Sequence, residues 1–156
     1  MKIKLIMIGK TTGKLYVDAI NDYISRIGHY NNFTIHIIPG LKNTKKLSQE
    51  QQKQNEGELI QKELNPSDKV ILLDERGTEF RSIEFAKWLE HKQRTTQRLV
   101  FVIGGPYGFS DNIYQRSDEK ISLSKMTFSH QMVRLIFIEQ LYRACTIIKG
   151  ESYHHE

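Results

Sequence analysis

Two apolar rhythms alternate along the chain. Lys2 to Ile8 alternates and then runs apolar, as a strand does, and Phe33 to Ile38 is a second β-branched run ended by Pro39-Gly40. Between them, Leu15, Ala19, Ile20, Tyr23, Ile24 and Ile27 fall at helical spacing, which predicts a helix over 15–27 with Gly28 at its C-terminal cap. Leu41 to Leu47 reads as a polar loop, and Ser48 with Gln51 forms a capping box that opens a polar helix to about Leu64.

The second half repeats the alternation with more apolar strands. Val70-Ile71-Leu72-Leu73 and Leu99 to Ile103 are nearly continuous apolar runs, as expected of strands covered on both faces. Ser82 is read as the cap of a short helix to about Lys92, Ser110 as the start of another, and Lys120 to Leu123 as a short strand. A long helix from about His130 to Lys149 ends at Gly150, leaving the tail Glu151 to Glu156. Alternating strands and helices predict an α/β fold with a mainly parallel sheet and helices on both faces. At 156 residues, without an internal repeat or linker, residues 1–156 are read as a single domain.

Composition narrows this picture modestly. Hydrophobic residues make up 38% and charged residues 26%, the values of an ordinary globular protein. No apolar run approaches the roughly 20 residues of a membrane span, and the apolar part of the opening MKIKLIMIGK is too short for a signal peptide, so a cytoplasmic protein is expected. The one cysteine, Cys145, lies in an apolar helical stretch and reads as a small buried hydrophobe. A net charge of +5 favours polyanionic partners such as RNA without deciding for them. Lys42, Lys45 and Lys46 are a candidate phosphate contact or simply a solvated loop.

Candidate chemistry gathers where the apolar strands end. The runs Leu73-Asp74-Glu75-Arg76-Gly77 and Ile103-Gly104-Gly105-Pro106-Tyr107-Gly108 follow such strands, the place where open α/β sheets bind ligands. The G-G-x-x-G spacing is neither a dinucleotide fingerprint nor a phosphate loop, so its glycines serve either a tight turn or a closely approaching ligand. Leu123-Ser124-Lys125-Met126-Thr127-Phe128 is a third such segment, either a pocket wall or packing beneath the last helix. That helix is apolar almost all round, which predicts burial on two sides, one of them against a second subunit. Arg134, Glu139 and Arg143 interrupt it and are read as paired charges or parts of a site. His154 and His155 have no third ligand at zinc spacing, so no metal site is expected, and neither a Ser-His-Asp order nor paired carboxylates suggest a hydrolase.

Taken in order, the segments Lys2-Ile3 to Gly9-Lys10, Leu72-Leu73-Asp74 before Gly77, Phe101 to Gly108, Leu123 to Arg134, Glu139 to Ala144 and the terminal Tyr153-His154-His155 carry a resemblance. The chain resembles the ribosomal RNA large-subunit methyltransferase H family of SPOUT (trefoil-knot) methyltransferases. It departs from the family's pattern at Ser129, where some relatives carry proline; a serine there can cap the last helix.

The resemblance implies a C-terminal trefoil knot and S-adenosyl-L-methionine held by Leu73, Gly104 and the run Leu123, Ser124, Lys125, Met126, Thr127 and Phe128. It implies methylation of N3 of a pseudouridine in 23S ribosomal RNA, with the assembled ribosome as substrate, by a homodimer whose active site draws on both subunits. Arg143 would then stabilise charge on the base, and Tyr153, His154 and His155 of the tail would contact the substrate or take its proton. The alternative is a ribosome- or RNA-binding factor without catalysis, which needs no adenosine-sized pocket.

Overall fold

The computed structural model describes residues 1–156. Its elements are β1 (Lys2–Ile8), α1 (Lys14–Ile27), β2 (Asn32–Ile38), a 3₁₀ turn (Thr44–Lys46), α2 (Gln49–Lys62), β3 (Lys69–Glu79), α3 (Ser82–Thr95), β4 (Arg98–Ile103), α4 (Asp111–Arg116), β5 (Glu119–Ser122) and α5 (His130–Ile148). The five strands form one sheet in the order β2-β1-β4-β3-β5, and every neighbouring pair is parallel.

The period-two geometry of a strand explains why these strands look continuously apolar. In β4, Leu99, Phe101 and Ile103 face a core shared with α1, α3 and α5. Val100 and Val102, between them, face a second core with Ile60 of α2 and Ile113 of α4. Both faces are therefore covered, and no position from Leu99 to Ile103 can be polar without burying a group that needs a partner. Phe137 of α5 packs on Phe101 of β4 with ring centroids 4.8 Å apart, which fixes α5 across the sheet.

Local signals set the helix starts. Ser48 accepts from the Gln51 backbone N–H at 3.1 Å while the Gln51 side chain accepts from the Ser48 N–H at 2.8 Å, the reciprocal box expected. Ser129 accepts from the Met132 N–H at 3.2 Å, so this serine caps α5. Gly150 ends that helix with φ +71°, a conformation that favours glycine. Ser82, by contrast, is not a cap: Arg81 occupies that position without a side-chain bond, and Ser82 is the first helical residue.

The larger difference lies in β3. The strand does not stop at Asp74 but runs to Glu79, and its register against β5 slips, with both Leu73 and Thr78 opposite Ile121. Residues 74–77 bulge out of the ladder between those two pairings. Gly77 permits the return, since a Cβ there would come within 2.5 Å of the Ile121 carbonyl carbon. No helix is long and apolar enough to cross a membrane.

Candidate active site

The bulge of β3 and the carboxyl ends of β4 and β5 border a cavity of about 450 Å³, within the roughly 300–1,000 Å³ range of small-molecule sites. Leu73, Gly104, Leu123, Ser124, Lys125, Met126, Thr127 and Phe128 all line it. Three segments separated in sequence thus meet at one place, because adjacent parallel strands deliver their C-terminal loops to the same edge of the sheet.

The walls divide by chemistry. Leu73, Ile103, Ile121 and Val133 give an apolar surface suited to a flat aromatic ring, and Gly104 keeps that wall thin. A Cβ on Gly104 would lie 2.9 Å from the buried Phe109 ring, so the cavity's shape depends on the missing side chain. On the polar side, Asp74 accepts from the Arg76 backbone N–H at 2.8 Å and from the Tyr114 hydroxyl. The Tyr114 hydroxyl is held above its ordinary pKa by burial and by this carboxylate. His130, at the start of α5, also lines the cavity, and desolvation together with nearby Arg134 holds it below the usual histidine range. Asp74, Tyr114 and His130 thus join the site, although no cofactor or catalytic role falls to them from the sequence.

The residue set fits S-adenosyl-L-methionine: an apolar slot for an adenine, a glycine wall, and the Asp74 carboxylate for a cationic ligand. No group of three or more His, Cys, Asp and Glu side chains is arranged to hold a metal ion.

A second cluster forms on α5 and the tail. Glu139 Oε1 accepts from Arg143 Nε at 3.1 Å and Nη2 at 2.6 Å, and from the Tyr153 hydroxyl at 3.0 Å. Arg143 Nη1 lies 3.1 Å from His154 Nδ1, and the Arg143 guanidinium sits over the Tyr153 ring at 4.8 Å. The Glu139 bond raises the Arg143 pKa, so the cation is permanent. Burial, then hydrogen bonds with Tyr23 and Glu139, raises that of Tyr153, so its hydroxyl stays protonated. Arg143, Tyr153 and His154 are therefore brought together. His155 is exposed and joins no side-chain hydrogen bond. None of these four lines the cavity of the same subunit.

The tail is not free to swing. Tyr153 packs edge-on against Tyr142 at 4.8 Å, and the Tyr30 hydroxyl donates to Glu151 at 2.6 Å, a bond that pushes Tyr30 up to about 12. Truncation after Gly150 thus removes packing and hydrogen bonds, contrary to the expectation that the tail, free to fold back toward a substrate, contributes little to folding. Cys145 is 2% exposed with its thiol pushed up to about 11 by burial, an unreactive core residue.

A family model described as "Predicted SPOUT methyltransferase" matches residues 1–154. The chain belongs to the SPOUT methyltransferase family. Curated relatives cover its whole length: it is 62% identical to the ribosomal RNA large subunit methyltransferase H of Phocaeicola vulgatus, with 100% of each chain aligned. The proteins of the same name from Bacteroides fragilis and Flavobacterium psychrophilum are 60% and 55% identical, again over 100% of both chains. SPOUT membership implies the knotted fold.

Proposed function

We propose that this chain is an S-adenosyl-L-methionine-dependent ribosomal RNA methyltransferase that modifies N3 of a pseudouridine in 23S ribosomal RNA, acting on assembled ribosomes in the cytoplasm as a homodimer. The observation that carries the reading is the convergence of the three cofactor-type loops on one cavity, in a chain matched end to end by large-subunit RNA methyltransferases. A non-catalytic RNA-binding factor has no use for such a cavity.

Leu73, Gly104 and Leu123 to Phe128 would hold the cofactor, whose sulfonium supplies an electrophilic methyl group. The protein's task is alignment and charge. N3 of the base must give up its proton, to a tail imidazole or to water, before it can accept a methyl group. Arg143, kept charged by Glu139, stabilises the electron-rich ring during this step. Tyr153, protonated and half-buried, spends its hydroxyl proton on Glu139 and so is no base; it holds the Arg143 cluster together.

The cluster on α5 lies outside the cavity of its own subunit, which supports a site completed by two subunits, one supplying the cofactor loops and the other the tail. Within the chain, Phe137 is fully buried on the sheet side of α5, while Ile136 lines a smaller cleft with Phe80, Leu123 and Gln140. The Ile136 side is thus the one free to meet a partner. Lys42, Lys45 and Lys46 are exposed and pair with no carboxylate, so they are available to RNA phosphate.

The test is mass spectrometry of 23S ribosomal RNA from a strain lacking the gene. The expected result is one pseudouridine short of a methyl group, restored by the wild-type gene; an unchanged modification pattern would sink the proposal.

A further inference from the structure

An arginine can only donate hydrogen bonds, and this fixes the character of the histidine beside it. Arg143 Nη1 is 3.1 Å from His154 Nδ1, so Nδ1 must be the acceptor and the ring's proton must sit on Nε2. Glu139 makes this arrangement rigid: its Oε1 takes two N–H groups of the same guanidinium, and Tyr153 closes the same oxygen from the tail side. Glu139 is only 18% exposed in its side chain and Arg143 24%, so water competes poorly for these bonds.

We infer that His154 acts as a hydrogen-bond donor through Nε2–H, not as the base, and that Glu139 is a positioning residue that sets this tautomer through Arg143. Both nitrogens of His154 are then spoken for: Nδ1 by Arg143, Nε2 by its proton. A pyrimidine ring that has lost the N3 proton carries its charge on N3 and on the two flanking carbonyl oxygens. An Nε2–H donor matches such an oxygen, so His154 and Arg143 would share one role, stabilising the anion. His155, exposed and without a side-chain partner, is the imidazole left to accept a proton. The inference rests on the reading above that the tail serves catalysis.

Two measurements on the full-length protein separate the possibilities. Long-range proton–nitrogen correlation of the imidazoles, assigned with His154→Gln, reads the tautomer directly without any reaction. Wild type should show His154 as the Nε2–H form, and Glu139→Gln should convert it to a mixture. Methyl transfer to ribosomes then compares substitutions. The amide nitrogen of His154→Gln reaches the place of Nε2 and donates without being a base, so it should be at least tenfold faster than His154→Ala. His154→Asn, whose amide falls near Nδ1, should resemble alanine. Glu139→Gln should lower kcat and leave the KM for the cofactor unchanged. An Nδ1–H tautomer in the wild type overturns the inference, as does His154→Gln as slow as His154→Ala. If Tyr153→Phe, His154→Ala and His155→Ala all methylate at the wild-type rate, the tail's part in catalysis fails, and the donor role falls with it.

Discussion

Arg134 in α5 donates to the carbonyl oxygen of Ile8, at the end of β1, at 2.6 Å. The same guanidinium reaches Gly9 O at 2.9 Å and Thr11 Oγ1 at 3.1 Å, and the residue is 1% exposed. No carboxylate pairs with it; neutral oxygens alone offset its desolvation, which holds its pKa below the ordinary arginine value. The bonds join the start of the last helix to the first strand across most of the chain, next to the cavity-lining residues His130 and Val133.

Arg134→Met should therefore destabilise the fold by about 2–4 kcal/mol, since the oxygens are left buried without a donor. At this chain length each kcal/mol lowers Tm by roughly 2–4 °C. Lysine should rescue only part of the loss, because one ammonium cannot span three oxygens held in a fork. Thermal unfolding checks this, and an unchanged Tm for the methionine variant would show that the clamp is dispensable.

Glu56 gives a pH-dependent expectation. It is 4% exposed on α2, its Oε1 has no hydrogen-bond partner, and its carboxylate lies against Gly105, where any Cβ would collide with it. Burial raises its pKa above the ordinary 4.5. For a raised acid, the folded state holds the proton more tightly than the unfolded state, so the favourable contribution is complete below pH 4.5 and lost as pH rises through the folded value. Glu56→Gln removes that ionisation, and should raise Tm at pH 8 relative to wild type, with the advantage shrinking toward pH 4. An advantage that grows on acidification would contradict the assignment.

Much of the fold is legible in the chain because its causes are local. The Ser48 box and the Ser129 cap each lie within four consecutive residues, and the two-sided burial of β4 is written in its unbroken apolar run. The Glu139–Arg143 pair follows from i, i+4 spacing on one helix. What was hidden depends on distant partners. Asp74 to Gly77 reads as a loop that follows the strand, and only pairing with β5 makes it a bulge within a longer strand. Glu56 looks like any charge on a polar helix until α2 is laid against Gly105. The tail reads as free because Tyr23, Tyr30 and Tyr142, which anchor it, come from elsewhere in the sequence.

Tyr153→Phe tests that anchoring. It keeps the ring against Tyr142 but loses the hydroxyl bonds to Glu139 and Tyr23. The expected cost is about 1 kcal/mol in stability, measured by urea unfolding, together with slower methyl transfer as Arg143 and His154 loosen. Removing residues 151–156 altogether should cost more stability than this single substitution. If both variants unfold at the wild-type urea midpoint, the tail is not docked in solution.

Ile136→Glu tests the subunit contact. Ile136 belongs to the open side of α5, whereas Phe137 is fully buried against the sheet. A charge at 136 should therefore leave the monomer folded, with its circular dichroism unchanged, and shift the mass seen by light scattering from two chains to one at micromolar concentration. Methylation should fall with it, since the cavity and the tail cluster of one subunit do not meet. A variant that remains dimeric would move the interface to another surface.

The most direct test of the account is reconstitution: purified protein, isotope-labelled S-adenosyl-L-methionine and ribosomes from a strain lacking the gene, followed by nucleoside mass spectrometry of the 23S RNA. One labelled methyl group is expected on N3 of a single pseudouridine, at a rate reduced at least a hundredfold by Arg143→Ala, which removes the cation proposed to stabilise the charge. Label on a different nucleotide, or none at all with ribosomes that accept the modification in cells, would contradict it.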